Sequence, residues 1–146
     1  WDEAKRAAGE RAAADLGERV KLLPGDARTV ELPPCDTVTI VDMLHYFDAD
    51  TQRALLARAA AALRPGGQLL VREGDAGRRG AGSRWTRAIE ALAVRIGWNR
   101  GAGETRFRGA AELERDLRAL GLHVTVEPLA GRLHPGNVLL RATRRD

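Results

Sequence analysis

Cys35-Asp-Thr-Val-Thr-Ile-Val-Asp-Met-Leu-His-Tyr-Phe-Asp48 decides how this chain is read. Thr37, Val38, Thr39, Ile40 and Val41 are all β-branched, which predicts a strand over 35–41 covered on both faces. Asp42, His45 and Tyr46 then follow with no turn residue between them and the strand. In an open α/β sheet, ligands bind outside the carboxyl ends of the strands. A titratable cluster at that end therefore reads as the mouth of a site rather than as a surface accident.

Working outward, Asp48 or Asp50 is placed to cap a helix carrying Leu55, Leu56, Ala59, Ala62 and Leu63, and Arg64-Pro-Gly-Gly67 ends it. Residues 68–72 form the next strand. The stretch from Glu73 to Ser83 has too few apolar residues to pack and reads as a loop. Trp85, Ala88, Ile89, Leu92, Ala93 and Ile96 keep one-face helical spacing, as do Leu113, Leu117 and Leu120 within a helix over 110–120. Strands over 122–127 and 137–143, joined by a turn bearing Gly and Pro, close the chain as an antiparallel hairpin. Upstream, Ala4, Ala7, Ala8, Ala12 and Leu16 predict a helix over 2–16 ended by Gly17, and residues 19–23 a strand stopped by Pro24-Gly25. The alternation defines an α/β sheet in a single domain over 1–146.

Composition narrows the function classes. Of 24 Lys and Arg only Lys5 and Lys21 are lysine, and 20 acids are interleaved with them, so the net charge of +4 marks an Arg-rich composition and not a nucleic-acid surface. Six aromatic residues show no alternation with basic ones. The single Cys35 forms no intrachain disulfide and no apolar run reaches membrane length, which predicts a cytoplasmic protein without membrane partners. No spacing of metal ligands stands out.

Pro24-Gly-Asp-Ala27, the strand ending in Asp42-Met-Leu-His45, and Leu63-Arg-Pro-Gly-Gly-Gln-Leu-Leu-Val71 together resemble the middle of a class I S-adenosylmethionine-dependent methyltransferase. Gly97-Trp-Asn-Arg100 and Leu133-His-Pro-Gly-Asn-Val-Leu-Leu140 are similar to bacterial members acting on small metabolites. The resemblance implies a partial Rossmann-like sheet, the third to seventh strands of the family order, with the antiparallel hairpin at its edge. It implies S-adenosylmethionine as cofactor and a small-molecule acceptor. Asp26 would accept from the adenine amino group while the Ala27 N–H meets a ring nitrogen, and the carbonyls of Asp42 and Met43 would lie along the methionine part. His45 and Tyr46 would face the transferred methyl group, His45 as the base for a hydroxyl acceptor. Glu73 and Asp75, at the next strand end, would contact the acceptor. His123 reads as a structural residue inside a strand and His134 as a surface one.

The family's glycine-rich loop, first two strands and ribose-binding acid have no counterpart here; Asp2 falls just past where that acid would stand. A chain beginning after the second strand is expected to be a fragment with weakened cofactor affinity. Its strands 19–23 and 35–41 would each lack a neighbour, filled by further strands or by a second copy in a homodimer; direct pairing of 20–23 with 38–41 would require a different topology. Two rival readings use other features. Gly77-Arg-Arg-Gly-Ala-Gly82 would cradle an anion in a different nucleotide- or phosphate-binding α/β protein, although its spacing is not that of a dinucleotide or mononucleotide fingerprint. A degenerate methyltransferase fold would serve as a non-catalytic binding module.

Overall fold

The computed structural model describes residues 3–77, 105–129 and 136–145. The chain divides into two compact units, Trp1–Glu31 and Leu32–Asp146.

In the first unit, α1 (Glu3–Ala12) carries Glu3 in its first turn and Arg11 in its last, the arrangement the helix dipole favours. Arg6 pairs with both Glu3 and Glu10 along one face. A 3-10 turn (Ala14–Arg19) follows, interrupted at Gly17, whose φ of +55° breaks the helical path where the sequence predicts the helix to end. The strand expected over 19–23 does not form: Val20 is extended, but residues 20–26 carry no ladder, and Leu23 is 67 % exposed. β-branched and aliphatic residues favour an extended backbone, yet a strand exists only where a neighbour accepts its hydrogen bonds.

The second unit holds one four-stranded sheet in the order β1-β2-β4-β3, built from β1 (Cys35–Val41), β2 (Leu63–Gly74), β3 (Leu122–Pro128) and β4 (Asn137–Arg144). β1 and β2 run parallel, with Val38 opposite Leu69 and Ile40 opposite Val71. The crossover between them is α2 (Ala49–Ala62), as a parallel pair requires. β4 lies antiparallel to both β2 and β3, Gly74 meeting Asn137 and Leu122 meeting Arg144. This mixed α/β sheet is the partial methyltransferase architecture expected from the sequence.

Leu55, Leu56 and Ala59 of α2, and Leu113 and Leu117 of α3 (Ala110–Ala119), are buried together with Leu69, Val71 and Leu140 of the central strands. β1 departs from expectation, since only Ile40 is buried and Val41 is 54 % exposed. β-branching predicts the strand, while burial on both faces depends on what covers it, and among the described residues β1 pairs on one side only. His123 is likewise corrected: it lies in β3 but on the exposed face. The helix expected over 85–96, the glycine stretch 77–82 beyond Gly77, and His134 lie outside the described residues.

Arg64-Pro-Gly-Gly67 does end α2, but the same residues enter β2 as an irregularity. Cys35 pairs with Leu63 and Thr37 already with Gln68, so five residues of β2 span two of β1. Gly66 has φ +71°. A Cβ on Gly67 would stand 2.8 Å from the Arg64 carbonyl oxygen and 3.0 Å from that of Asp36. Both obstacles are main chain and have little room to yield. Gly67→Ala is therefore expected to cost about 1–3 kcal/mol, measured by denaturant unfolding; a stability equal to the parent's would show that the bulge relaxes freely.

Asp48 caps α2 by accepting from the Thr51 N–H at 2.8 Å. That bond holds its carboxyl below the ordinary value of 3.8. With the folded-state pKa depressed, the cap contributes fully above the unfolded value and is lost as pH falls through the folded one. Asp48→Asn keeps a capping oxygen that does not titrate. The stability of the parent relative to this variant should thus decline on acidification below about pH 4, as read from thermal midpoints; parallel pH curves would remove Asp48 from the acid response.

Candidate active site

The chain leaves β1 through Asp42, the only non-glycine residue with positive φ among those described, at +49°. A short polar side chain tolerates this left-handed conformation when local hydrogen bonds hold it. Here the Asp42 N–H donates to the Arg72 carbonyl at 3.0 Å, and the carboxylate meets Arg72 Nη2 at 3.3 Å and Asn137 Nδ2 at 3.2 Å. Asn137 is itself buried, at the first position of β4. The bend turns the backbone directly into a 3-10 turn, Leu44–Tyr46, which buries Leu44 and His45.

β2 supplies the partner. Leu69, Val71 and Glu73 alternate onto one face, so the same periodicity that buries two aliphatic side chains also buries a carboxylate. His45 is 1 % exposed and Glu73 2 %. Glu73 Oε1 lies 2.6 Å from His45 Nδ1 and also accepts from the Gly74 N–H at 3.0 Å; Oε2 accepts from the His45 N–H at 3.3 Å. An ionised carboxylate only accepts, so this contact assigns the proton to Nδ1 and leaves the basic lone pair of a neutral imidazole on Nε2. Three N–H groups on one carboxylate also offset the cost of burying it.

A third segment closes over the pair. The Arg106 N–H donates to the His45 carbonyl at 2.7 Å, and Gln52 Nε2, buried in α2, donates to the carbonyls of Phe47 at 2.9 Å and Arg106 at 3.0 Å. The Phe107 ring stacks on the imidazole with centroids 4.4 Å apart and planes 17° apart; the Tyr46 ring sits at 4.1 Å, tilted by 52°.

Of the residues singled out by sequence, the structure brings His45, Tyr46 and Glu73 into one cluster, with Asp42 three residues before the histidine. Met43 is half-buried, and its carbonyl accepts from the Tyr46 N–H at 3.3 Å. Asp75 stands apart in role: its Oδ1 accepts from the N–H groups of Gly77 and Ala110, both at 2.8 Å, and so caps α3 from another element. In the first unit, Asp26 forms a turn, accepting from the Arg28 N–H at 2.9 Å and from the Arg28 guanidinium. The guanidinium contact, followed by that backbone N–H, lowers its carboxyl to about 2, so it is ionised at all ordinary pH. Ala27 is part of the same turn.

Sequence reasoning missed Gln52, Phe107 and Asn137. Gln52 sits at a helical position whose burial the periodicity of Leu55, Leu56 and Ala59 would have suggested. Phe107 lies in an irregular stretch with no period to read. Among the described residues no cluster of His, Cys, Asp and Glu could hold a metal ion, and no helix is long and apolar enough to cross a membrane.

A parallel strand pair crossing over through a helix, an antiparallel hairpin at the edge, and a buried His–Glu pair at the strand ends make up this α/β domain. The profile of the O-methyltransferase domain family matches residues 3–109, and the chain belongs to that family. Among solved structures it is similar to an O-methyltransferase family protein from Burkholderia thailandensis, at 28 % identity and a TM-score of 0.71 over 99 % of this chain and 42 % of that one. Mitomycin 7-O-methyltransferase shares the fold at 24 % identity and TM-score 0.71, over 97 % of this chain and 39 % of that one. Human N-acetylserotonin methyltransferase, solved in complex with SAM, does so at 20 % identity and TM-score 0.60, over 85 % and 33 %. The chain thus spans about two-fifths of the length of the first two. No curated protein matches it in sequence.

Proposed function

We propose that the whole protein transfers a methyl group from S-adenosylmethionine to a hydroxyl oxygen of a small-molecule acceptor, with His45 as general base. The observation that carries this reading is the buried 2.6 Å contact between His45 Nδ1 and Glu73. The cofactor, when bound, supplies a methyl group on a cationic sulfur. An acceptor oxygen would take up that methyl group while its hydroxyl proton passes to His45 Nε2. Glu73 holds the tautomer that makes Nε2 the acceptor and stabilises the imidazolium that results. Tyr46 borders the same imidazole. Asp75 pins the end of β2 to the start of α3 and so frames the acceptor side.

Each unit, taken by itself, carries residues suited to part of the cofactor. Asp26 is ionised and exposed, suited to accept from an adenine amino group in competition with Arg28, and the Ala27 N–H stands beside it in the turn. The left-handed bend at Asp42 carries the backbone of Asp42 and Met43 off the strand end, where the methionine part would lie. A cytoplasmic site of action, and completion of the β1 edge by further strands or a second copy, belong to the same proposal. The test incubates the whole protein with S-adenosylmethionine and a panel of phenols and hydroxylated metabolites, with products read by mass spectrometry. Methyl ethers are expected; methylation confined to nitrogen or carbon acceptors would overturn the oxygen assignment.

A further inference from the structure

We infer that Phe107 is a positioning residue for the proton transfer, fixing the plane of the His45 imidazole and stabilising its cationic form. The inference rests on the reading of His45 as the base. The bond from Nδ1 to Glu73 sets one direction, and because the second side-chain torsion of histidine is intrinsically broad, rocking about that torsion is what a stacked neighbour limits. Rocking swings Nε2, the atom that must meet the acceptor hydroxyl. The Phe107 ring, 17° from parallel at 4.4 Å, removes that freedom, whereas the Tyr46 ring, tilted by 52°, does not define the same plane. Phe107 is itself held: its neighbour Arg106 is tied through the main chain to His45 and through its carbonyl to Gln52, and the segment runs straight into α3, whose first N–H is capped by Asp75.

The stack has a second consequence. When His45, 1 % exposed, takes the acceptor proton it becomes an imidazolium lying on the face of a phenyl ring. The π-face attracts that charge, and only in the charged state. The contribution is therefore greater at the transition state than in the resting enzyme, so it acts on kcat and not on substrate binding. Glu73 bonds the imidazole at Nδ1, whereas Phe107 lies against its face.

The experiment compares Phe107→Leu with Phe107→Tyr in the whole protein. Leucine keeps apolar bulk without a π-face; tyrosine keeps the ring. With S-adenosylmethionine and the phenol turned over fastest in the panel, Phe107→Leu is expected to lower kcat by about two- to thirtyfold with KM unchanged, while Phe107→Tyr retains the parent kcat. Independently of any acceptor, NMR relaxation of the His45 ring should report one rigid orientation in the parent and in Phe107→Tyr and added ring motion in Phe107→Leu, while the tautomer set by Glu73 stays protonated at Nδ1 in all three. Unchanged His45 ring relaxation in Phe107→Leu, or an equal loss of kcat in both variants, would overturn the inference. Full activity of His45→Gln would sink the base reading instead, and with it the catalytic half of this inference; the NMR comparison still decides whether Phe107 holds the ring.

Discussion

His45→Gln is expected to lower kcat by about 100- to 10,000-fold, the range of a positioned general base, while leaving S-adenosylmethionine affinity within about twofold by calorimetry. Glutamine approximates the reach of histidine and can still hydrogen-bond Glu73, but its amide takes up no proton near neutral pH. The hydroxyl proton then has to leave to water from a site that the 105–109 segment helps to close. Because His45 is set three residues beyond the left-handed bend at Asp42, its removal should leave the backbone of Asp42 and Met43 undisturbed. Retention of the parent rate would show that alignment alone drives the transfer and that His45 is a packing residue.

Glu73 carries the second large expected effect, and it divides between stability and rate. Glu73→Ala leaves His45 Nδ1, the His45 N–H and the Gly74 N–H buried without their acceptor, which should cost about 2–5 kcal/mol by denaturant unfolding. Glu73→Gln separates the two roles. One amide oxygen can still accept from Nδ1, but the amide NH2 must then face an N–H donor, and the neutral group no longer stabilises an imidazolium. A fall in kcat of about 100-fold or more is expected for this variant, with a smaller loss of stability than Glu73→Ala. If Glu73→Gln keeps the parent rate, the carboxylate is a structural acceptor only.

Much of this molecule is legible in the sequence, for reasons that are local. Runs of β-branched residues at 37–41, three-four spacing at Leu113 and Leu117, an aspartate before α2 and Gly-Gly after it each express a backbone preference or a one-face burial that few residues decide. The same local logic picked out Asp42, His45, Tyr46 and Glu73 as strand-end polar groups, and the order of these pieces was enough to suggest the methyltransferase resemblance. The strand expected over 19–23 failed on the same ground, because its residues favour an extended backbone but cannot supply the neighbour a ladder needs.

What only the tertiary structure decided is which groups meet. Nothing in the stretch between His45 and Glu73 states that the imidazole and the carboxylate are bonded; that follows from the parallel register that sets Val41 beside Arg72 and from the alternation that turns Glu73 inward. The placement of Phe107 on His45 depends on a segment 62 residues further along, laid over the site by the Arg106 main chain bonded to the His45 carbonyl and to the Gln52 amide. The roles of Asp75 and Asn137 belong here too, since each satisfies a group on an element remote in sequence. Periodicity and capping are written residue by residue, whereas a pairing between distant side chains exists only once the sheet register has fixed where both strand ends stand.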